Sequence, residues 1–245
     1  MNYSITGFAY LGTFLSAGFL TYRFFQYWKK EKTIVARLFF YSMAIFSLFF
    51  LVTLIPTLFF SQNAFLLKGV VIITAFLESL ACAFLGYLIF YLKIPRVSPW
   101  IGFSIPLILG ITATVLSIIV PFEVFLEQGG AINWGNRGLA DYFRNLVYLV
   151  TFLPMAFVLF EQFKKSDSPY GRSRALGLGL VFVFVIVITV FDYSIEKIFN
   201  LPAVSSDIFQ GILSIFLFVF LILTQKQLPK KEEGLPRGHV RRVSK

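Results

Sequence analysis

The sequence predicts an all-α integral membrane protein: one seven-transmembrane-helix bundle with its amino terminus outside and its carboxyl terminus in the cytoplasm. Hydrophobic residues make up 58% of the 245-residue chain and charged residues only 14%, a composition that excludes a soluble domain. Seven apolar stretches are each about long enough to cross a hydrocarbon core of roughly 30 Å as a helix. They cover approximately residues 5–28, 34–60, 69–92, 100–120, 139–160, 175–193 and 207–224.

Lysine and arginine lie on alternate connections between these stretches, which predicts the orientation. Eighteen of the 22 lie in the first, third and fifth connections, with their flanking helix ends, and in the tail, at 23–37, 93–96, 164–174 and 226–245. Because basic residues are retained on the cytoplasmic side, these connections are expected inside. The net charge of +10 is then explained by basic residues that lie beside anionic lipid headgroups on the cytoplasmic side. Nucleic acid is not expected as a partner.

Each span has local features that fit a membrane helix. The first lacks the basic leader and cleavage site of a signal peptide and is expected to be retained. Proline occurs in the second, fourth and fifth spans, where a kink is tolerated in a membrane. Small residues in the first and sixth spans would permit close helix approach. These prolines and small residues are Pro56, Pro106, Pro154, Gly12, Ser16, Gly177 and Gly179.

The bundle is expected to occupy residues 1–224, in a bacterial cytoplasmic membrane, followed by a disordered basic tail at 225–245 near the inner headgroups. The longest external connection runs from 121 to 138 and contains Phe122 and Trp134. We expect these two aromatic residues to anchor the chain at the interface. A lid over a ligand is the alternative for this connection.

Ionisable residues inside the spans are the candidates for function. Glu78 follows Gly69 by nine residues, so it lies roughly 13 Å into its span, near the midplane. A carboxyl group at that depth normally faces the bundle interior or a wet cavity. Other polar groups lie in the outer halves of spans five to seven, among them Asp207. The sequence therefore predicts a polar cavity open to the outside, with Glu78 at its floor.

We predict a ligand-binding set from these groups, with no catalytic and no metal-ligating residue. It comprises Glu78, Asp141, Arg144, Tyr148, Asp192 and Gln210. Each has a structural alternative. Asp141 and Asp192 could be solvated helix ends, Arg144 could extend to the interface or pair with Asp141, and Glu78 could be a buried structural or proton-binding group.

Several functional classes are excluded by the residues that the chain lacks. It has one cysteine, Cys82, and one histidine, His239 in the tail, so a metal cluster or a catalytic triad cannot be assembled in the membrane. A retinal protein needs a lysine in the middle of span seven for its Schiff base, and residues 211–223 contain none. We expect neither enzymatic activity nor a cofactor.

A weak internal similarity leaves a transporter as an alternative. An aromatic and glutamine-containing segment followed by two lysines closes both the first and the fifth span, at 25–30 and 161–165. Spans one to three and five to seven could then be parallel repeats joined by the fourth span. This layout is similar to that of small carriers of sugars or vitamins. Against it, the intramembrane polar groups lie toward one side of the membrane.

The chain resembles the seven-helix sensory region at the amino terminus of some bacterial histidine kinases. The resemblance rests on the basic turn at 29–32 leading into residues 36–40, on the seven-span plan and on the cytoplasmic carboxyl end. It implies a sensor-like module that binds a small ligand and signals across the lipid bilayer through a cytoplasmic or membrane partner. The chain departs from that family by having no kinase domain. A non-catalytic membrane assembly protein is a further alternative.

Overall fold

The computed structural model describes residues 4–135, 137–193 and 203–225, with a few side chains near the ends of the last two helices left out. The described residues form seven α-helices and one β-hairpin. The helices are α1 (Ile5–Glu31), α2 (Ile34–Phe59), α3 (Ala64–Lys93), α4 (Pro99–Ile119), α5 (Leu139–Lys165), α6 (Pro169–Tyr193) and α7 (Ala203–Gln225). The hairpin pairs β1 (Phe125–Leu126) with β2 (Ile132–Asn133).

A helix stands at each of the seven predicted spans, and the helical fold class is confirmed. Among the described residues, five helices, α2 to α6, are long and apolar enough to cross a membrane. The predicted tail beyond residue 225 lies outside the described residues. The prolines at 56, 106 and 154 lie inside continuous helices, as a membrane bundle permits.

Side-chain caps fix where the first three helices begin. The hydroxyl of Ser4 accepts from the backbone N–H of Gly7, Thr33 from that of Ala36, and the Asn63 side chain from that of Leu66. Each cap satisfies one of the backbone donors that a helix start leaves unpaired. These caps set the short connections that turn the chain back on itself.

Six helices form a closed ring and one lies outside it. Around the ring the order is α1, α2, α3, α5, α6 and α7, and α7 returns to α1, while α4 packs outside against α3 and α5. We call the end where α1, α3, α5 and α7 begin the hairpin end, because the β-hairpin lies there. The opposite end, where 23–37, 93–96 and 164–174 lie, is the basic end.

Apolar side chains fill the half of the ring nearest the basic end. This core contains Leu20 and Phe24 of α1, Phe39 of α2, Leu88 of α3 and Leu159 of α5, all buried. Such buried apolar side chains normally pack at high density. The cavity described below lies toward the hairpin end.

Helices α3 and α4 approach closely through glycine. A Cβ placed on Gly86 would lie 2.1 Å from the carbonyl oxygen of Gly102, and one on Gly110 would lie 1.6 Å from the Ser79 hydroxyl. Only residues without a side chain permit this backbone contact. The sequence prediction had placed close approaches at other glycines. Of those, a Cβ on Gly179 would lie 3.1 Å from the Phe160 ring and one on Gly12 would lie 3.5 Å from Ser214.

The β-hairpin was not predicted, and it changes the interpretation of the connection at 121–138. Phe122, Val124 and Ile132 form a small buried cluster with Leu67 and Val71 of α3. The prediction of Phe122 as an interfacial anchor is wrong, because only 8% of it is exposed. The connection packs onto the end of the bundle.

Glycine permits the sharp turn that ends the hairpin. Gly135 has φ +71°, and a Cβ there would lie 2.3 Å from the Glu123 carbonyl oxygen. Residues with a side chain rarely adopt this conformation. The turn directs the following residues toward α5.

Candidate functional site

A cavity of about 260 Å³ lies inside the ring toward the hairpin end. Its wall comes from all six ring helices and, in the connection before α5, from Trp134, Gly135 and Arg137. None of the lining residues lies on α4. Sites for small molecules usually have about 300–1,000 Å³, so this cavity suits a compact ligand. The external helix α4 supports the ring without contributing to the cavity.

The central feature of the wall is a buried ion pair between α3 and α5. Arg144 donates from Nε to Glu78 Oε2 at 2.5 Å and from Nη2 to Glu78 Oε1, a bidentate geometry that suits a guanidinium and a carboxylate. Glu78 is 1% exposed, whereas a quarter of the Arg144 side chain is exposed. Both groups line the cavity.

This pair shows which carboxylate Arg144 contacts. A carboxylate buried among helices is costly unless it is paired and hydrogen-bonded, and Arg144 supplies both requirements. The alternative prediction, that Arg144 pairs with Asp141, is wrong. Contact between α3 and α5 exists because α4 lies outside the ring, and that adjacency brings the two charges together.

Asp141 instead pairs with Arg137 at the start of α5. Arg137 Nη2 lies 2.5 Å from Asp141 Oδ1, and the Arg137 backbone N–H donates to Asp141 Oδ2 at 3.0 Å. Burial lowers the pKa of the Arg137 guanidinium, the charge of Arg144 acts in the same direction, and Asp141 opposes both. An acidic group at a helix start is favourable, so this pair fixes the entry to α5.

The hairpin is tied to the helix starts through Thr6. The Thr6 hydroxyl donates to Asp207 Oδ2 of α7 at 2.5 Å and accepts from the Ile132 backbone N–H at 2.7 Å. The backbone N–H of Ile5 donates to the Gly130 carbonyl at 2.8 Å. Three separate parts of the chain, α1, α7 and β2, therefore meet at one hydroxyl group.

Aromatic rings occupy much of the remaining wall. Tyr10 of α1 contacts Trp134 edge to face at 6.3 Å and Phe50 of α2 at 6.4 Å, measured between ring centroids. Deeper, Tyr148 and Phe152 of α5 lie 5.2 Å apart. The wall thus joins a charged and hydroxyl-bearing part to an apolar aromatic part, as binding sites for small organic molecules do.

The structure brings most of the predicted site residues together. Those in the wall of this cavity are Glu78, Asp141, Arg144, Tyr148 and Gln210. Asp192 lies near the end of α6, and its side chain is outside the described part of the chain. The ligand-binding role of the set stays a prediction.

Sequence reasoning missed Tyr10 and Arg137, and it treated Trp134 as an interfacial anchor. All three line the cavity. Tyr10 is one aromatic residue among many in the spans, and Arg137 lies just before the predicted fifth span. For Trp134, the alternative of a lid over a ligand fits its position better, and the glycines around it were the available signal.

A comparison of the chain with protein-family models, curated proteins and solved structures found no match. Within the described residues, histidine, cysteine, aspartate and glutamate form no group of three or more that could hold a metal ion. The similarity to kinase sensory regions therefore rests on the sequence features alone.

Proposed function

We propose that this protein is a seven-span membrane receptor or sensor that binds a small ligand in the capped cavity and signals through a partner at the basic end. One observation carries the proposal: the Glu78 and Arg144 pair stands in the wall of a cavity that the hairpin connection helps to enclose. Buried charge inside a membrane bundle is usually retained for function.

The charge distribution supports the orientation in this proposal. The basic end carries the lysines and arginines of three connections, so it belongs in the cytoplasm by the positive-inside rule. The hairpin and the cavity then face the outside. A ligand would enter at the hairpin end, and the basic end would be left for a signalling partner.

The position of α7 supports a route for the signal. Asp207 at the start of α7 bonds to Thr6, which also holds the hairpin. A ligand that moves the hairpin would bias this junction, and α7 leads directly toward the basic end. Such coupling requires a different affinity of the ligand for the two arrangements.

A transporter is the second candidate, and the ring geometry favours it. Helices α1 to α3 follow one another around the ring, as do α5 to α7, and α4 lies outside. A carrier built from two parallel triplets would have this order. The filled core in the half toward the basic end supports the receptor more strongly, because a carrier must open to both sides.

A thermal-stability screen of purified protein against small solutes tests ligand binding. The wild type is compared with Thr13→Phe, which adds a ring to the cavity wall, and with Thr112→Phe on the exposed side of α4. Both threonines bond only to the preceding turn, at 2.9 Å, which makes them a matched pair. We expect hits that stabilise the wild type and Thr112→Phe but not Thr13→Phe.

The same hits then separate receptor from transporter. Proteoliposomes loaded with the wild type should bind the ligand without accumulating it. Sustained uptake that Glu78→Gln abolishes would reject the receptor in favour of the transporter. If no solute changes the thermal stability of Thr13→Phe and Thr112→Phe differently, both the receptor and the transporter proposals would be rejected.

A further inference from the structure

We infer that the cavity binds a neutral ligand with a carbonyl oxygen, an amide or ester for example, attached to a compact apolar body. This inference rests on the proposed ligand-binding function and adds the chemical class of the ligand. It comes from three features of the described wall: the hydrogen-bond donors of two arginines, the carboxylate bound to each arginine, and the aromatic side chains next to them.

Arg144 has more hydrogen-bond donors than its ion pair uses. A guanidinium carries five N–H groups, and Arg144 donates to Glu78 only from Nε and Nη2. A quarter of the Arg144 side chain is exposed, and it lines the cavity, so a ligand can contact the N–H groups that Glu78 does not use. Since a guanidinium has no acceptor atom, the ligand group bound there is an acceptor.

Arg137 is a second donor in the same wall. It lines the cavity, is 5% exposed and pairs with Asp141 through Nη2. Its buried Nε N–H has no hydrogen-bond partner in the described part of the chain. Most buried donors in folded proteins are hydrogen-bonded, so this N–H calls for an acceptor. Asp141 precedes Arg144 by about one helical turn, which places both arginine pairs on one face of α5.

The carboxylates bound to the arginines make a neutral acceptor more favourable than an anionic one. Arg144 is already bound to Glu78, and Arg137 to Asp141. A ligand carboxylate on either guanidinium would lie beside the carboxylate of the protein, and two like charges at contact repel strongly where the dielectric is low. A carbonyl oxygen has two lone pairs that accept hydrogen bonds without this repulsion.

Aromatic side chains surround the space for the rest of the ligand. Tyr10 and Trp134 lie edge to face at 6.3 Å between centroids, and Tyr148, one turn after Arg144, lies 5.2 Å from Phe152. All four rings line the cavity. A ligand with its oxygen at the arginines would place an apolar ring or short branched chain among these side chains, in a volume of about 260 Å³.

Three probes of one shape test the inference: benzamide, benzamidine and benzoate. Each carries a planar group on one benzene ring. Benzamide has a neutral carbonyl oxygen, benzamidine has N–H donors in its place, and benzoate is an anion. We expect benzamide to bind the full-length protein at least about tenfold more tightly than either of the others, the scale of one hydrogen bond to a charged group. Isothermal titration calorimetry of the purified protein measures the three dissociation constants.

Two variants that keep the positive charge locate the donors. Arg144→Lys retains an ammonium group for Glu78 but loses the planar set of N–H groups, and Arg137→Lys retains one for Asp141 but has no N–H at the Nε position. Each should weaken benzamide binding about tenfold, while benzyl alcohol, which has no carbonyl group, should lose much less. Arg37→Lys is the control, because Arg37 is exposed at the basic end and outside the cavity.

Every other result contradicts a defined part of the inference. Benzamidine that binds as tightly as benzamide would overturn the carbonyl group, and benzoate that does so would overturn the neutral charge. Equal losses of benzamide and benzyl alcohol in both lysine variants would overturn the contact with the arginines, since they would show a loss of structure alone. If none of the probes binds, the inference is rejected.

The thermal-stability screen separates these failures from a failure of the proposed function. Solutes that stabilise the wild type and Thr112→Phe but not Thr13→Phe support the ligand-binding function even where benzamide does not bind. Benzamide binding that is unchanged in Thr13→Phe would overturn the cavity as the site.

Discussion

The arrangement of the cavity wall depends most directly on the ion pair between Glu78 and Arg144. Glu78 is almost fully buried and Arg144 is largely buried, between α3 and α5. Removing one partner of a buried pair leaves an uncompensated charge, which costs about 3–5 kcal/mol, whereas removing both is often nearly neutral. The pair therefore acts as a unit, and its two members should not contribute additively to stability.

A double-mutant cycle measures this coupling. We expect Glu78→Gln and Arg144→Met each to lower the stability of the folded protein by about 3 kcal/mol or more, and the double variant to lower it less than the sum of the two. Unfolding in detergent, followed by circular dichroism, gives the three values. Additive losses would contradict a direct pair between these side chains.

The exposed pair at the basic end supplies the control. Lys93 forms an ion pair with Glu161, and the two side chains are 35% and 42% exposed. Ion pairs of this kind contribute about 0–1 kcal/mol. Lys93→Gln should therefore change stability little, so a large loss there would show that the measurement does not report on pairing.

At this scale the sequence predicted Glu78 well and its partner poorly. The depth of Glu78 follows from counting residues along one helix, which needs no tertiary information. Its partner depends on which helices are neighbours, and the displacement of α4 from the ring is not visible in a linear pattern. The local spacing of Asp141 and Arg144 suggested a pair, but Arg137 lies close enough to Asp141 to compete and does so.

Among the helices, α3 and α4 approach closely, and glycine permits it. Gly86→Ala should destabilise the protein by about 1–3 kcal/mol, because the added methyl group meets the Gly102 carbonyl oxygen and forces the helices apart. Gly69→Ala on the same helix is the matched control, since no atom lies within 4 Å of its Cβ position.

The control variant should be neutral or slightly stabilising, because alanine favours a helix over glycine by about 1 kcal/mol. Thermal unfolding of both variants in the same detergent makes the comparison. Equal behaviour of Gly86→Ala and Gly69→Ala would mean that α3 and α4 are not in backbone contact.

The hairpin is an element that the sequence did not reveal. Strands of two residues show no alternating pattern, and they are held by contacts to α1 and α3 far away in sequence. Membrane helices, in contrast, can be recognised in a sequence from the length and composition of their apolar stretches. The helices, which composition indicates locally, were thus predicted, although α3 begins at Ala64 and α6 at Pro169, before the predicted starts at 69 and 175. The hairpin, which depends on tertiary contacts, was missed.

The attachment of the hairpin through Thr6 can be tested with an isosteric change. Thr6→Val removes the hydroxyl that bonds to Asp207 and Ile132, and leaving such buried groups unsatisfied costs about 1–3 kcal/mol. We expect faster hydrogen exchange at the hairpin amides, Ile132 in particular, than in the wild type. Exchange measured by mass spectrometry is the readout.

Thr112→Val is the control for this change, since the Thr112 hydroxyl bonds only within its own helix, to the Ile108 carbonyl. It should leave hairpin exchange unaltered. If Thr6→Val exchanges like the wild type, the hairpin is held by its apolar contacts to α3 and the Thr6 junction contributes nothing measurable.

For the whole molecule, the two ends of the ring differ in charge and in filling. The basic end has an apolar core beneath its lysines and arginines, and the hairpin end has the cavity. A bundle of this kind has one direction in the membrane if the positive-inside rule governs it. The position of the cavity and the charge asymmetry then make one joint prediction, that the cavity end lies outside.

Cysteine labelling of intact cells tests that orientation. In a Cys82→Ala background, which removes the buried native thiol, Gln128→Cys places a thiol on the exposed hairpin turn and Asp167→Cys places one between α5 and α6. A maleimide that cannot cross membranes should label Gln128→Cys in intact cells and Asp167→Cys only after permeabilisation, because the bilayer separates the two ends. Labelling of the background protein controls for other sites. The reverse pattern would place the cavity in the cytoplasm and remove the external ligand, and labelling of both thiols in intact cells would contradict a membrane-spanning bundle.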